Sequence, residues 1–150
     1  MKYKRLSIDE LASLEKSFVR FLATQSITRE DWIKIKKENP DRMNTLLDQF
    51  SDLITEQTLN NIEYLHFFSD KQLFLFHCEE KFIHLVVVKH DLDIDKDTDA
   101  EKLLKEIQQN GKIQTKQTKD YNPDRNTELF KMIESGARIV DGELYRAIVG

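Results

Sequence analysis

Three short apolar runs, Ile62 to Phe68, Leu73 to Cys78 and Phe82 to Val88, are separated only by Ser69-Asp70-Lys71-Gln72 and Glu79-Glu80-Lys81. Their length and their aromatic and β-branched content predict strands. Connections this short cannot carry a chain back to a parallel neighbour, which predicts an antiparallel meander. With Asp70-Lys71 and Glu80-Lys81 as the turn residues, alternation puts Leu65, Phe67, Phe74, Phe76, Cys78, Ile83, Leu85 and Val87 on one face, wholly apolar and therefore expected to be buried, Phe76 against the N-terminal helices. The opposite face then carries Tyr64, His66, Phe68, Leu73, Leu75, His77, Phe82, His84, Val86 and Val88.

Helical periodicity fills the chain before the strands. Ser7-Ile8-Asp9-Glu10 is a capping box, and Ile8, Leu11, Leu14, Phe18, Phe21 and Leu22 follow as one apolar stripe, which predicts a single first helix. Thr28 with Asp31 opens a second helix carrying Trp32, Ile33 and Ile35. Asn39-Pro40 ends it and opens a third to about Asn60, with Met43, Leu46, Leu47, Phe50, Leu53 and Ile54 inward. The run Lys2-Tyr3-Lys4-Arg5-Leu6, the following Leu11, Leu14, Glu15, Phe18, Phe21 and Leu22, and the step from Ile27-Thr28 to Asp31-Trp32 resemble a small uncharacterised bacterial family, a domain of unknown function of about 150 residues. The resemblance extends more loosely to Ser135-Gly136-Ala137 and Asp141-Gly142-Glu143-Leu144-Tyr145. It implies no activity and carries over no functional residue.

After the strands an aspartate stands at every second position from Asp91 to Asp99. A calcium loop of the EF-hand type needs a glycine at its sixth position and a glutamate at its twelfth, and neither register supplies them, so the run reads as a solvated acidic loop. Thr98-Asp99-Ala100-Glu101 is another capping box, with a helix through Leu103, Leu104 and Ile107 that Gly111 ends. Lys112 to Lys119 reads as an edge strand whose lysines discourage pairing with another chain, or alternatively as a small basic patch. Asn122-Pro123 opens a helix with Leu129, Phe130 and Ile133 inward and Gly136 as its stop. The tail fits a short final helix capped by Asp141, or a hairpin turning at Asp141-Gly142.

Composition narrows the class: 150 residues with 33% charged, only four glycines and two prolines, predict one helix-rich α+β domain. N-terminal helices are expected to pack on a three- to four-stranded sheet. A net charge of −4 argues against nucleic acid or an anionic membrane as partner. Cys78 is the single cysteine and reads as a core residue, and no stretch is long enough to span a bilayer, so the expected location is cytoplasmic.

The glycines at 111, 136, 142 and 150 exclude a Gly-rich phosphate loop, and no Gly-x-Ser-x-Gly, His-Glu-x-x-His or cysteine pair is present. No cofactor is implied. What remains is the set His66, His77 and His84 on one sheet face, a candidate for a metal or anionic ligand of open identity. In the proposed register His66 and His84 both lie opposite Leu75, while Glu63 and Glu79 are assigned to the other face. The expected function is a non-catalytic interaction module that binds another protein or itself, the alternative being a small-ligand or metal-binding enzyme that uses the histidine face.

Overall fold

The strands form as expected, and the turns between them are the two-residue turns read from the sequence. The computed structural model describes residues 1–91 and 100–150, so the aspartates at 93, 95, 97 and 99 and the Thr98 cap lie outside the described residues. In chain order the elements are α1 (Ile8–Ser13), α2 (Glu15–Thr24), α3 (Arg29–Glu38), α4 (Pro40–Asn60), β1 (Tyr64–Ser69), β2 (Gln72–Cys78), β3 (Phe82–Lys89), α5 (Ala100–Asn110), β4 (Lys112–Asp120), α6 (Arg125–Glu134), β5 (Arg138–Val140) and α7 (Glu143–Val149). The fold class is α+β, with helices before and after the sheet. No helix among the described residues is long and apolar enough to cross a membrane. The chain divides into two compact units, Met1–Thr58 and Leu59–Gly150.

In the first unit the predicted capping box at Ser7 is present, and Thr28 with Asp31, expected to open a helix, does so as a second capping box. Ser7 accepts from the Glu10 amide at 3.1 Å and Thr28 from the Asp31 amide at 3.1 Å, each acid bonding back to the cap. The single first helix does not form. Leu14 leaves helical geometry at φ −107, ψ 22, and the Ser13 hydroxyl bonds the Glu10 carbonyl at 2.7 Å, a back-bond that bends helices. The break takes Ile8 out of the stripe, leaving it 85% exposed, and Ile33 and Leu53 also face solvent. The core is Leu6, Phe21, Leu22, Ile27, Ile35, Leu46 and Phe50. Phe18 sets its ring edge-on to Trp32 at 4.9 Å and to Phe50 at 5.0 Å.

The extended segment before α1 is tied along α4 through residues four apart. Asp52 accepts from the Lys2 and Tyr3 amides at 2.7 and 2.9 Å, Asp48 from Arg5 Nε at 2.7 Å, and Glu56 from the Tyr3 hydroxyl. The fully buried Ser51 hydroxyl accepts from the Leu6 amide at 3.1 Å. Residues i and i+4 share a helix face, so α4 offers one polar row to this segment.

In the second unit the strand order is β4-β3-β2-β1-β5, every neighbour antiparallel. Ser69 pairs with Gln72 and Cys78 with Ile83, so the two faces hold the residues that alternation assigned. Lys71 turns the first hairpin at φ +65. The face expected to be the core is only partly buried: Leu65, Cys78, Ile83 and Val87 are buried, whereas Phe74, Phe76 and Leu85 are half-buried and Phe67 is 36% exposed. The histidine face is the better covered one. Leu73, Leu75, Val86 and Val88 pack there with Leu103 and Ile107 of α5, and Leu144, Tyr145 and Ile148 of α7 close over them. Amphipathic α5 explains this, because its apolar stripe needs an apolar sheet centre. Gly111 ends α5 where a Cβ would meet the Ile107 carbonyl oxygen at 2.5 Å.

β4 is the lysine-bearing edge strand that was expected. Of the two readings of the tail the helix forms, as α7, with Gly142 rather than Asp141 at its N-cap and Asp141 Oδ1 accepting from the Glu143 amide at 3.0 Å; no hairpin turns at Asp141-Gly142, and Arg138–Val140 pairs with β1 as a fifth strand. α6 starts two residues later than Asn122-Pro123 predicts, because Asp124 caps it by accepting from the Thr127 amide at 3.0 Å. Arg125 then donates to the carbonyls of Leu59 at 2.8 Å and Ile62 at 2.5 Å.

Two stability outcomes follow. Leu73→Ala, at a fully buried position, should cost about 2–5 kcal/mol in urea denaturation, while Leu53→Ala should cost under about 1 kcal/mol; the reverse order would place the core wrongly. Ser26 ends α2 at φ +60, with the Ile27 amide bonded to the Leu22 carbonyl at 2.9 Å, a position that favours glycine. A left-handed residue costs about 1–2 kcal/mol and glycine's extra chain entropy about 0.5–1, so Ser26→Gly should stabilise by roughly 0.5–1 kcal/mol, read as a higher denaturation midpoint.

Candidate functional site

Pairing of Cys78 with Ile83 puts His77 directly opposite His84. This corrects the expectation that His84 faces Leu75; only His66 does, from the β1 side. Glu79 is corrected too. It lies two residues beyond His77, and its amide continues the ladder to the Phe82 carbonyl at 2.9 Å, so its side chain emerges on the histidine face. Its backbone is held by α6 and the loop before it: the Glu79 carbonyl accepts from the Tyr121 hydroxyl at 2.6 Å and from Arg125 Nε at 3.2 Å.

His77, Glu79 and His84 bring their ligand atoms within 4.8 Å of one another. His84 Nε2 meets Glu79 Oε2 at 2.7 Å, and His84 Nδ1 meets Thr118 Oγ1 of β4 at 2.7 Å. The His77 ring lies nearly parallel to Tyr64, centroids 4.7 Å apart at 12°, with Tyr145 of α7 at 5.5 Å. The hydrogen bond from His84, helped by the nearby imidazoles, holds the exposed Glu79 carboxyl below its usual range. Such a group can be bridged by a proton or a cation.

His66 stands apart from this set. It sits against Phe68, ring centroids 4.6 Å apart, and pairs through β5 with Arg138. Burial, with a smaller contribution from Arg138, pushes its imidazole below its usual pKa, which favours the neutral form. It lines a cavity of about 150 Å³ whose walls are mainly apolar, from Tyr64, Leu75, Leu103, Leu104, Val140, Leu144 and Tyr145. Glu101, Asp141 and Glu143 add acidic groups to the lining. Gly142 shapes one wall at φ +83, where a Cβ would overlap the Tyr64 ring. The sequence brought all three histidines to one face; the structure divides them into a pair with a carboxylate and a single imidazole beside a cavity. Tyr64 and Tyr145 flank both.

The family of unknown function DUF6495 matches the sequence over residues 1–150. No curated protein and no solved structure matches it.

Burial pushes the Cys78 thiol up to about 12, which keeps it a neutral thiol at physiological pH and removes its nucleophilicity. A raised pKa leaves stability intact below the thiol's ordinary range and withdraws it as pH rises toward the folded value. Native protein at pH 8 should therefore resist a chromogenic disulfide reagent and react stoichiometrically in urea. Rapid labelling of the native state would show that the thiol is accessible.

Proposed function

We propose that this chain, which belongs to the family of unknown function DUF6495, is a non-catalytic domain that binds a small, mainly apolar molecule on the histidine face of its sheet. The cavity beside His66 carries this reading. Its volume of about 150 Å³ suits one aromatic ring, since apolar cavities of roughly this size take up benzene. A neutral imidazole at its wall offers one directional hydrogen bond, the usual arrangement of an apolar pocket with few polar groups. The acidic residues around it favour a neutral or cationic ligand over an anion. The buried, free Cys78 thiol is compatible with a reducing compartment, and the same reading expects a cytoplasmic protein.

A second reading, self-association, is favoured by one observation. Ile139 pairs with Leu65 and so lies diagonal to Phe67 on the other sheet face, and these two side chains are 51% and 36% exposed. Paired apolar exposure of this kind fits a second copy of the chain. Sedimentation velocity decides it: a monomer at every concentration removes this reading.

The ligand reading is tested by NMR titration with phenol, benzylamine and benzoate. Phenol and benzylamine should give saturable shifts at His66 and Tyr145, benzoate should give none, and Leu144→Trp, which fills the space, should abolish the shifts. Equal binding of benzoate, or no response to any probe, would contradict it.

A further inference from the structure

We infer that His77, Glu79 and His84 form a binding site for a single divalent transition-metal ion of the zinc class, distinct from the apolar cavity. The argument begins with the ladder. His77 and His84 are direct cross-strand partners, and Glu79 follows on the same face one residue past the end of β2, where its amide bonds the Phe82 carbonyl at 2.9 Å, so two donors project from adjacent strands and the third from the turn that joins them. Their ligand atoms lie within 4.8 Å of one another. Bonds of roughly 2.0–2.2 Å in tetrahedral geometry need donors about 3.3–3.6 Å apart, so His84 and Glu79, now at 2.7 Å, open slightly while the wider separation closes, adjustments on the scale of side-chain rotation.

The orientation of each ring matches what a ligand requires. Metal-bound imidazoles hold their second nitrogen in a hydrogen bond that fixes tautomer and plane. Thr118 Oγ1 performs this at His84 Nδ1, at 2.7 Å, which aims Nε2 at Glu79. At His77 the ring plane, though not the tautomer, is held by rings: Tyr64 stacks on one side and Tyr145 packs against it. The contact between His84 and Glu79 at 2.7 Å is the place where an ion would replace a bridging proton. Glu79 keeps a side-chain exposure of 48%, so the site opens to solvent and leaves a fourth position outside the protein.

Donor chemistry sets the class of ion. Two imidazoles and one carboxylate suit zinc, cobalt, nickel or copper, whereas magnesium and calcium require all-oxygen shells. His66 faces Leu75 on the same side of the sheet but is outside the donor group, which makes it an internal control.

The experiment is zinc titration calorimetry on full-length protein without a histidine tag, with circular dichroism confirming that each variant is folded. Wild type should bind one ion per chain. His77→Ala and His84→Ala should each lose about 100-fold or more in affinity, Thr118→Val about 10–100-fold, and His66→Ala nothing. Loading with cobalt should give the intense visible bands of a tetrahedral nitrogen–oxygen site, bands that His84→Ala loses. Folded wild type that takes up no zinc, variants that bind as tightly as wild type, or a response to magnesium equal to that of zinc would each overturn the site.

Discussion

The ladder between β2 and β3 is the constraint on which the rest depends. Because side chains alternate with period two, the pairing of Cys78 with Ile83 decides at once that Leu75 and Val86 meet under α5 and α7, that His77 meets His84, and that Glu79 joins them. The turn Glu80-Lys81 has no Asn-Gly or Asp-Gly signature to hold this register. It is held from outside the hairpin instead. Tyr121 and Arg125 grip the Glu79 carbonyl from one side, and β4 pairs along the length of β3 from Phe82 to Lys89. Arg125 also donates to the carbonyls of Leu59 and Ile62, so one side chain of α6 ties the chain entering β1 to the end of β2.

Much of this architecture was legible in the residues because the signals are local. Caps at Ser7 and Thr28, the stops at Gly111 and Gly136, the two-residue turns and the lysine edge all follow from chemistry within four positions. Membership of both sheet faces follows too, since alternation needs only the turn residues. What failed is non-local or depends on small backbone energies. The break at Leu14, at φ −107 and ψ 22, interrupts an apolar stripe whose periodicity runs straight through it. β5 is three residues long and exists through its pairing with β1, not through its own pattern. Which face would be better covered depends on where α5 and α7 land, and no count of apolar residues reveals that.

The site was half legible. Three histidines on one face could be read directly, but the partner of His84 and the side of Glu79 required carrying the turn arithmetic one residue further. The polar row on α4 at Asp48, Asp52 and Glu56 was likewise visible as four-residue spacing. Its extended partner, Lys2 to Leu6, has no periodicity of its own to point to it. In both cases the missing information is which distant segment satisfies a donor, and a buried or half-buried polar group always needs that answer.

A metal site on His77, Glu79 and His84 and a ligand cavity beside His66 both require the register to hold in solution. With Glu79 bonded to Phe82, the pairs Cys78–Ile83 and Phe76–Leu85 are the close, non-hydrogen-bonded ones of the ladder. Solution NMR on the full chain should therefore give strong Hα–Hα Overhauser contacts between Cys78 and Ile83 and between Phe76 and Leu85. Contacts displaced by one residue, such as Cys78 with His84, would put His77 and His84 on opposite faces and contradict the account.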